Sequence, residues 1–271
     1  MLPVDFSPLY SPIAPENSLC LAFIGDDLLL TQDHAFPDAS RLASLPPPET
    51  DCLIGRLGEQ TCRLLAWPDS VETPAGLLRQ NLRTAWTLLD REQHALATRA
   101  KLMRSWDREH RFCGVCGTPT QPMESEPARI CPACQHRAYP RLSPAIMVLI
   151  HRGNELLLAR SPHFRPGMYS ALAGFVEPGE SLDECAHREV MEEVGVRITN
   201  LRWFDSQPWP FPHSLMLAFH ADYVEGEIVP QPGEIEHAAW FSIDALPDLP
   251  SSDSIAYRLL QSAIDEKKHA L

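Results

Sequence analysis

The chain is 271 residues long, 44% apolar, and carries a formal net charge of −13. That length allows one large domain or two modest ones around a genuine core, and the composition excludes the disordered and collagen-like classes. The acidic balance argues against binding bare duplex DNA, which needs a basic surface, and no stretch reaches the roughly 18 consecutive apolar residues of a membrane helix.

The first residues, Met1-Leu-Pro-Val-Asp-Phe6, lack a basic segment followed by a long apolar one, so no secretory signal is expected. Residues 1 to about 72 read as β-rich. Ser18-Leu-Cys-Leu-Ala-Phe-Ile24 is an apolar strand, Gly25-Asp-Asp27 turns it into Leu28-Leu-Leu30, and Thr61-Cys-Arg-Leu-Leu-Ala-Trp67 is another strand. Proline-rich breaks at Pro46-Pro-Pro48 and near Pro74 punctuate the region, in keeping with 26 prolines in the chain. Residues 75 to about 107 predict helix, with Leu77, Leu78, Leu82, Trp86 and Leu89 at helical spacing as a core stripe.

A cysteine-bearing knot follows over 110–140, and from Pro144 the pattern becomes α/β. Ala145-Ile-Met-Val-Leu-Ile150 is a buried strand, Arg152-Gly-Asn154 a turn and Glu155-Leu-Leu-Leu-Ala159 the returning strand. A glycine-led loop, a helix, more strands and a C-terminal helix from about Asp253 complete the order, with no internal repeat visible. His151, His163 and His187 fit no pattern and read as surface or structural residues.

Of the eight cysteines, four form two C-x-x-C pairs, Cys113/Cys116 and Cys131/Cys134. Two such turns can close a tetrahedron of thiolates around Zn²⁺, and Gly114 and Gly117 suit the tight backbone. With no open coordination position in the pattern, the zinc is expected to be structural. Cys20, Cys52, Cys62 and Cys185 are scattered in apolar or helical context, which points to a reducing compartment and a cytoplasmic location.

The stretch from Gly174 to Val196 is the most informative. Ser181 and Glu184 form a capping box that starts a helix near Leu182, and Gly195 is a natural stop. At about 100° per residue, Glu189 and Glu193 lie within about 40° of each other, with Glu192 beside them. They share the direction of Leu182 and Ala186, so the face is partly apolar. Like charges held together there call for cations, and all-oxygen ligands select Mg²⁺ or Mn²⁺. Arg188 can pair with Glu184 or Glu192 and orient a carboxylate. Carboxylates, a hard cation and a glycine-bearing loop at a helix N-terminus suit diphosphate chemistry.

This stretch resembles the Nudix box, G-x5-E-x7-R-E-U-x-E-E-x-G-U with U aliphatic. Gly174, Glu180, Arg188, Glu189, Val190, Glu192, Glu193, Gly195 and Val196 fill its fixed positions. The resemblance implies an α/β (α+β) Nudix fold, a mixed sheet between helices, that hydrolyses a nucleoside diphosphate linked to another moiety. It implies Glu189, Glu192 and Glu193 as metal ligands together with the carbonyl of Ala173. Glu193 is assigned as the catalytic base, with Glu192 or a more remote glutamate as the alternative.

Downstream, Ser206-Gln-Pro-Trp-Pro-Phe-Pro-His-Ser214 reads as a rigid loop whose Trp209 and Phe211 offer flat surfaces to a ring. It resembles the S-Q-P-W-P-F-P-x-S motif of the NADH pyrophosphatase branch, which includes NAD-decapping enzymes and also carries the four-cysteine knot. His213 departs from the glutamine common at its position. The resemblance implies substrate contacts at Gln207, Pro208, Trp209, Pro210, Phe211, Pro212, His213 and Ser214. It adds Tyr139 and Phe175 as aromatic contacts, and Arg79, Glu126 and Ala256 as further ones. Glu234 matches the late metal ligand, with Glu236 as its rival.

The resemblance divides the chain into an N-terminal Nudix-like, β-rich domain ending in a helix (1–109), a zinc ribbon (110–140) and a catalytic Nudix domain (141–271). The implied reaction cleaves NAD(H) to NMN(H) and AMP, or an NAD cap from RNA, and the implied assembly is a homodimer. ADP-ribose or another dinucleotide is the alternative substrate, and a non-catalytic zinc-ribbon adaptor for nucleic acid is the alternative class.

Overall fold

The computed structural model describes residues 2–11, 15, 18–124 and 126–269. Two units, Met1–Arg141 and Leu142–Leu271, divide the chain. The first opens with β1 (Phe6–Ser11), β2 (Leu19–Ile24), β3 (Asp27–Thr31), the single-turn helix α1 (Ala39–Leu42), β4 (Thr50–Leu57) and β5 (Gln60–Trp67). The apolar runs of β2 and β5 are paired in parallel in the middle of a six-stranded sheet, where both of their faces are covered.

Residues 77–81, expected as helix, are instead strand β6 (Leu77–Asn81), antiparallel to β3 from Leu77↔Thr31 to Asn81↔Asp27. Pairing satisfies the backbone of β3 and completes the sheet order β1-β4-β5-β2-β3-β6, an advantage that leucine spacing cannot reveal. The short α2 (Leu82–Ala85) follows, capped by Asn81. The long helix α3 (Arg91–Glu109) begins where Asp90 and Gln93 form a reciprocal capping box, 16 residues later than the spacing alone predicts. Trp86 and Leu89 are buried as expected, in the connection ahead of α3. Three two-residue strands, β7 (Gln121–Pro122), β8 (Arg129–Ile130) and β9 (Arg137–Ala138), build the small sheet that carries the cysteine turns.

The second unit contains β10 (Ser143–Arg152), β11 (Glu155–Arg160), β12 (Leu172–Phe175), α4 (Leu182–Val194), β13 (Arg197–Trp209), β14 (Ser214–Glu225), β15 (His237–Ser242) and α5 (Ile255–His269). Its sheet runs β13-β14-β10-β11-β15, with β12 also paired to β10. The β10–β14 pair is parallel and the others antiparallel. Alternation along β10 divides the core: Ile146, Val148 and Ile150 pack with α4, whereas Met147 and Leu149 pack with α5. This is the mixed sheet between helices that the sequence implies.

The strands β4-β5-β2-β3-β6 repeat the chain order and the parallel central pair of β13-β14-β10-β11-β15. The repeat is topological and has no counterpart in sequence motifs, because α1 is one turn long and carries no carboxylate where the second unit has α4. No helix among the described residues is long and apolar enough to cross a membrane.

Candidate metal and diphosphate site

The thiol sulfurs of Cys113, Cys116, Cys131 and Cys134 all lie within 4.8 Å of one another, three of the separations being 3.4–3.6 Å. A tetrahedron with Zn–S bonds of about 2.3 Å has edges of about 3.8 Å, so the four thiols fit Zn²⁺ closely. Each knuckle is closed by a backbone bond, from the Gly117 N–H to the Cys113 carbonyl (2.8 Å) and from the Gln135 N–H to the Cys131 carbonyl (2.9 Å). Gly117 has the left-handed φ of 73° that such a turn requires. Gly114 does not, and in the second knuckle the left-handed position is filled by Gln135 at 61°.

In the second unit, α4 begins and ends as its sequence predicts. The Ser181 hydroxyl accepts from the Glu184 N–H, the Glu184 carboxylate accepts from the Ser181 N–H, and Gly195 stops the helix at φ 74°. That capping box occupies Glu184, which therefore does not pair with Arg188. Arg188 instead forks onto Glu180, with Nε and Nη2 donating to its two oxygens at 2.7 and 2.9 Å. Its Nη1 donates to Glu189 at 2.9 Å and Glu192 at 3.0 Å, and Nη2 also reaches the Phe175 carbonyl at 3.0 Å. One guanidinium thus fixes two of the three metal ligands expected on α4 and ties them to the end of β12.

Gly174 explains itself by proximity. A Cβ on it would lie 1.9–2.2 Å from the Glu189 carboxyl group, so the carboxylate rests directly on the glycine. Glu193 is only 7% exposed. Its Oε2 is buried without a hydrogen-bond partner, and its carboxylate accepts from the Ala173 N–H. Burial, reinforced by the charges of Glu189 and Glu234, pushes its pKa up to about 8. Burial also raises Glu189, against the pull of Arg188. A buried, unpaired carboxylate oxygen among like charges is costly unless a cation joins it, so these residues fit a hard divalent ion. The glutamate oxygens are spaced more widely than the thiols, which alone among the described residues bring three or more ligand atoms within 4.8 Å.

Glu234 stands in the turn after β14 and contributes to the charge felt by both Glu189 and Glu193. Its rival Glu236 is bound to Arg160 at 2.7 Å. The segment leading to Glu234 closes the C-terminal end of α4: the Val229 N–H donates to the Val194 carbonyl and the Gln231 N–H to the Glu193 carbonyl, both at 2.9 Å. Gln231 was not legible in the sequence as part of the site, because no motif marks a residue that acts through its backbone.

The nine residues expected as a loop are the end of a hairpin. Gln207, Pro208 and Trp209 belong to β13 and pair with Met216, Leu215 and Ser214 of β14, leaving only Pro210 to His213 as the turn. Proline is tolerated here because β13 is the edge strand. Trp209 and Phe211 meet edge to face with ring centroids 5.1 Å apart, and the Phe211–Pro212 peptide is cis. Pro208 and Pro212 are exposed, Pro210 and Ser214 buried, and His213 is held by Ser143 through its carbonyl (2.9 Å) and Nδ1 (3.1 Å).

Gln207 is doubly engaged at the start of α5. Its Oε1 accepts from the Ile255 N–H at 2.7 Å and its Nε2 donates to the Asp253 carbonyl at 2.9 Å. Ala256, next along the helix, is 5% exposed and packs into the α5 side of the core. Its side chain is therefore covered and does not present a surface to a substrate. Phe175 is exposed at the end of β12.

In the first unit, Tyr139 is exposed and donates to Glu126 at 3.2 Å, and Arg137 reaches the same oxygen at 3.4 Å. Arg79 on β6 is held by Asp27 at 2.9 Å and by Asp69. Of the three histidines that fitted no pattern, His187 lies near Asp183 on the exposed side of α4 and His163 in an exposed loop. His151 is half-buried, with Nε2 2.8 Å from His220 Nδ1.

Comparison with known proteins agrees with this geometry. The NUDIX domain family matches residues 141–262, and the NADH pyrophosphatase zinc ribbon domain matches residues 108–139. The NAD-capped RNA hydrolase NudC of Deinococcus radiodurans is 45% identical over 267 residues, 97% of this chain and 93% of that protein. Its counterpart from Chromobacterium violaceum is 60% identical over 184 residues, 68% of this chain and 69% of that protein. The crystal structure of a NUDIX hydrolase from Nitrosomonas europaea shares the fold at 22% identity and a TM-score of 0.51, covering 59% of this chain and 93% of that one. With a relative of such identity aligned along nearly its whole length, the chain belongs to the Nudix hydrolase family, among the members that carry a zinc ribbon ahead of the Nudix domain.

Proposed function

We propose that the protein hydrolyses the central diphosphate of NAD(H), giving NMN(H) and AMP, and removes NAD caps from RNA to leave a 5′-monophosphate. The observation that carries this reading is the buried Glu193 carboxylate, its Oε2 without a hydrogen-bond partner, close enough to Glu189 and Glu234 to feel their charge, on an intact Nudix box. Its support on substrate is the motif ending in Ser214 and the relatives named as NAD-capped RNA hydrolases.

Mg²⁺ or Mn²⁺, held by Glu189, Glu192, Glu193, Glu234 and the Ala173 carbonyl, would neutralise and polarise the diphosphate. Glu193 is the proposed base: its carboxylate is buried beside Glu189, among the residues that would hold the cation, which suits it to take a proton from the attacking water. Glu192, more exposed and held by Arg188, is the second choice. Arg188, which donates to both Glu189 and Glu192, would hold them in register with Glu193.

Phe175, Trp209 and Phe211 offer ring faces and edges to nicotinamide or adenine, bordered by Pro208, Pro210, Pro212, His213 and Ser214. The Ala256 N–H, Tyr139, Glu126 and Arg79 are the remaining proposed contacts, and Gln207 supports them by fixing the start of α5. A structural zinc in the four-cysteine knot, a homodimeric assembly and a cytoplasmic location complete the proposal, the last two resting on family resemblance and cysteine usage.

The test is chromatographic product analysis with NADH, NAD⁺, ADP-ribose and NAD-capped RNA, each incubated with Mg²⁺ or Mn²⁺, for wild type and Glu193→Gln. Release of NMN(H) that needs the cation and falls by about 10²- to 10⁴-fold in the variant is expected. Cleavage of ADP-ribose without cleavage of the nicotinamide substrates would overturn the reading of the aromatic hairpin.

A further inference from the structure

Among the described residues, four buried side-chain nitrogen and oxygen atoms lack a hydrogen-bond partner: Arg104 Nε, Trp106 Nε1, Glu193 Oε2 and Gln231 Oε1. The two in the first unit are donors. The two in the second unit are acceptors, and they belong to residues joined by one hydrogen bond, from the Gln231 N–H to the Glu193 carbonyl at 2.9 Å. A buried acceptor without a partner is costly, and these two lack the same thing, a donor or a cation.

Gln231 had a cheaper option. Glutamine is mostly an exposed residue, and Pro232, Gly233 and Glu234 directly after it are exposed, yet its amide oxygen is sealed from water. The main chain around it is fixed independently of the side chain. Pro230 and Pro232 flank it, and its carbonyl accepts from the Glu234 N–H at 3.3 Å and the Ile235 N–H at 3.0 Å. Through backbone bonds alone, Gln231 therefore adjoins Glu193 on one side and Glu234 on the other. An amide oxygen is a hard, neutral donor of the kind that suits Mg²⁺ and Mn²⁺. It adds no negative charge where Glu189 and Glu234 already press on Glu193.

We propose that the Gln231 side chain helps to hold the divalent cation, its Oε1 bound to the ion or accepting from one of the ion's waters beside Glu193. This rests on the metal site of the proposed function. The unpaired oxygen is then a liability in the metal-free protein and an asset in the loaded one, so its removal should act with opposite sign on the two states.

The experiment uses the full-length, zinc-loaded protein. Mn²⁺ affinity is measured by titration calorimetry, and melting temperature is measured with and without Mn²⁺. The variants are Gln231→Met, which keeps the length of the side chain and removes the amide, Gln231→Glu, which keeps an oxygen and adds a charge, and Glu234→Gln as the reference for the site. Gln231→Met is expected to weaken Mn²⁺ binding about tenfold, and to melt at or above the wild-type temperature when Mn²⁺ is absent. Gln231→Glu is expected to bind Mn²⁺ at least as tightly as wild type and to melt lower without it, as a fourth carboxylate beside three should. Wild-type affinity in Gln231→Met overturns the proposal. So does Gln231→Glu binding as weakly as Gln231→Met, the mark of an amide that donates to Glu193 or only packs. A metal-free melting temperature of Gln231→Met well below wild type overturns it too, because the oxygen then has a partner within the protein. Wild type that takes up no Mn²⁺ overturns the metal site and this inference with it. Weakened binding in Glu234→Gln with unchanged binding in Gln231→Met overturns this inference alone.

Discussion

Gly174 shows how closely a single residue can be tied to the chemistry. The Glu189 carboxyl group sits where a Cβ would project, and it is the far end of a flexible side chain rather than backbone. Gly174→Ala should therefore leave the fold intact, with a melting temperature within a few degrees of wild type. The displaced carboxylate should lower kcat/KM by about a hundred-fold, since roughly 1 Å of misplacement can cost that much. Steady-state kinetics beside a thermal melt would show both effects, and an equal loss of stability and activity would refute the assignment. The glutamates were legible in sequence because helical spacing and two helix-ending signals placed them on one face. The partners of Arg188 were only half legible. Spacing on the helix suggests Glu184 or Glu192, whereas Glu180, eight residues back, is brought in by the turn before the helix. Local competition decided the rest, since Glu184 is consumed by the capping box.

At the scale of elements, the end of β13 and the start of α5 are joined by one amide side chain. Gln207→Ala leaves the Ile255 N–H and the Asp253 carbonyl without these partners, and should lower stability by about 1 kcal/mol while raising KM for NADH. Chemical denaturation and kinetics check the pair, and unchanged KM would separate the clamp from the ring pocket. A second link joins the sheet to α5: His151 on β10 bonds His220 on β14, which lies 3.1 Å from Ser262 of α5. Burial, and then the neighbouring His220, lowers the pKa of His151 to about 4. The unfolded chain takes up a proton near pH 6.5 that the folded chain refuses. Stability is therefore fully present above pH 6.5 and declines as the pH falls toward 4. His151→Gln should flatten the fall in melting temperature between pH 6.5 and 5, and identical slopes for variant and wild type would count against this cause. Neither link is visible in sequence, because each joins residues more than 40 positions apart.

At the scale of the whole molecule, the sequence disclosed the second unit far better than the first. The second carries a motif, so its fold and chemistry followed together from nine fixed positions. The first has the same order of strands, yet only apolar runs and prolines mark it, and Leu77 to Asn81 reads equally well as helix until β3 is known to lie beside it. A one-turn α1 without carboxylates stands where α4 stands in the other unit. Among the described residues the first unit has no second glutamate-bearing helix at that place, so the fall of about 10²- to 10⁴-fold expected for Glu193→Gln should not be masked by activity from the N-terminal unit.

The bonds from Val229 and Gln231 to the last carbonyls of α4 have a mechanical meaning. They splice two parts of the chain roughly 40 residues apart into one splint, so that Glu234 travels with Glu189 and Glu193 instead of swinging over them as a lid. Such a jaw has no hinge between its two sides. The amides of Val229 and Gln231 should then exchange with deuterium at the pace of the final turn of the helix, far more slowly than their place in a surface connection would suggest. Rapid exchange at these two positions, against slow exchange in the helix, would mean that the jaw opens.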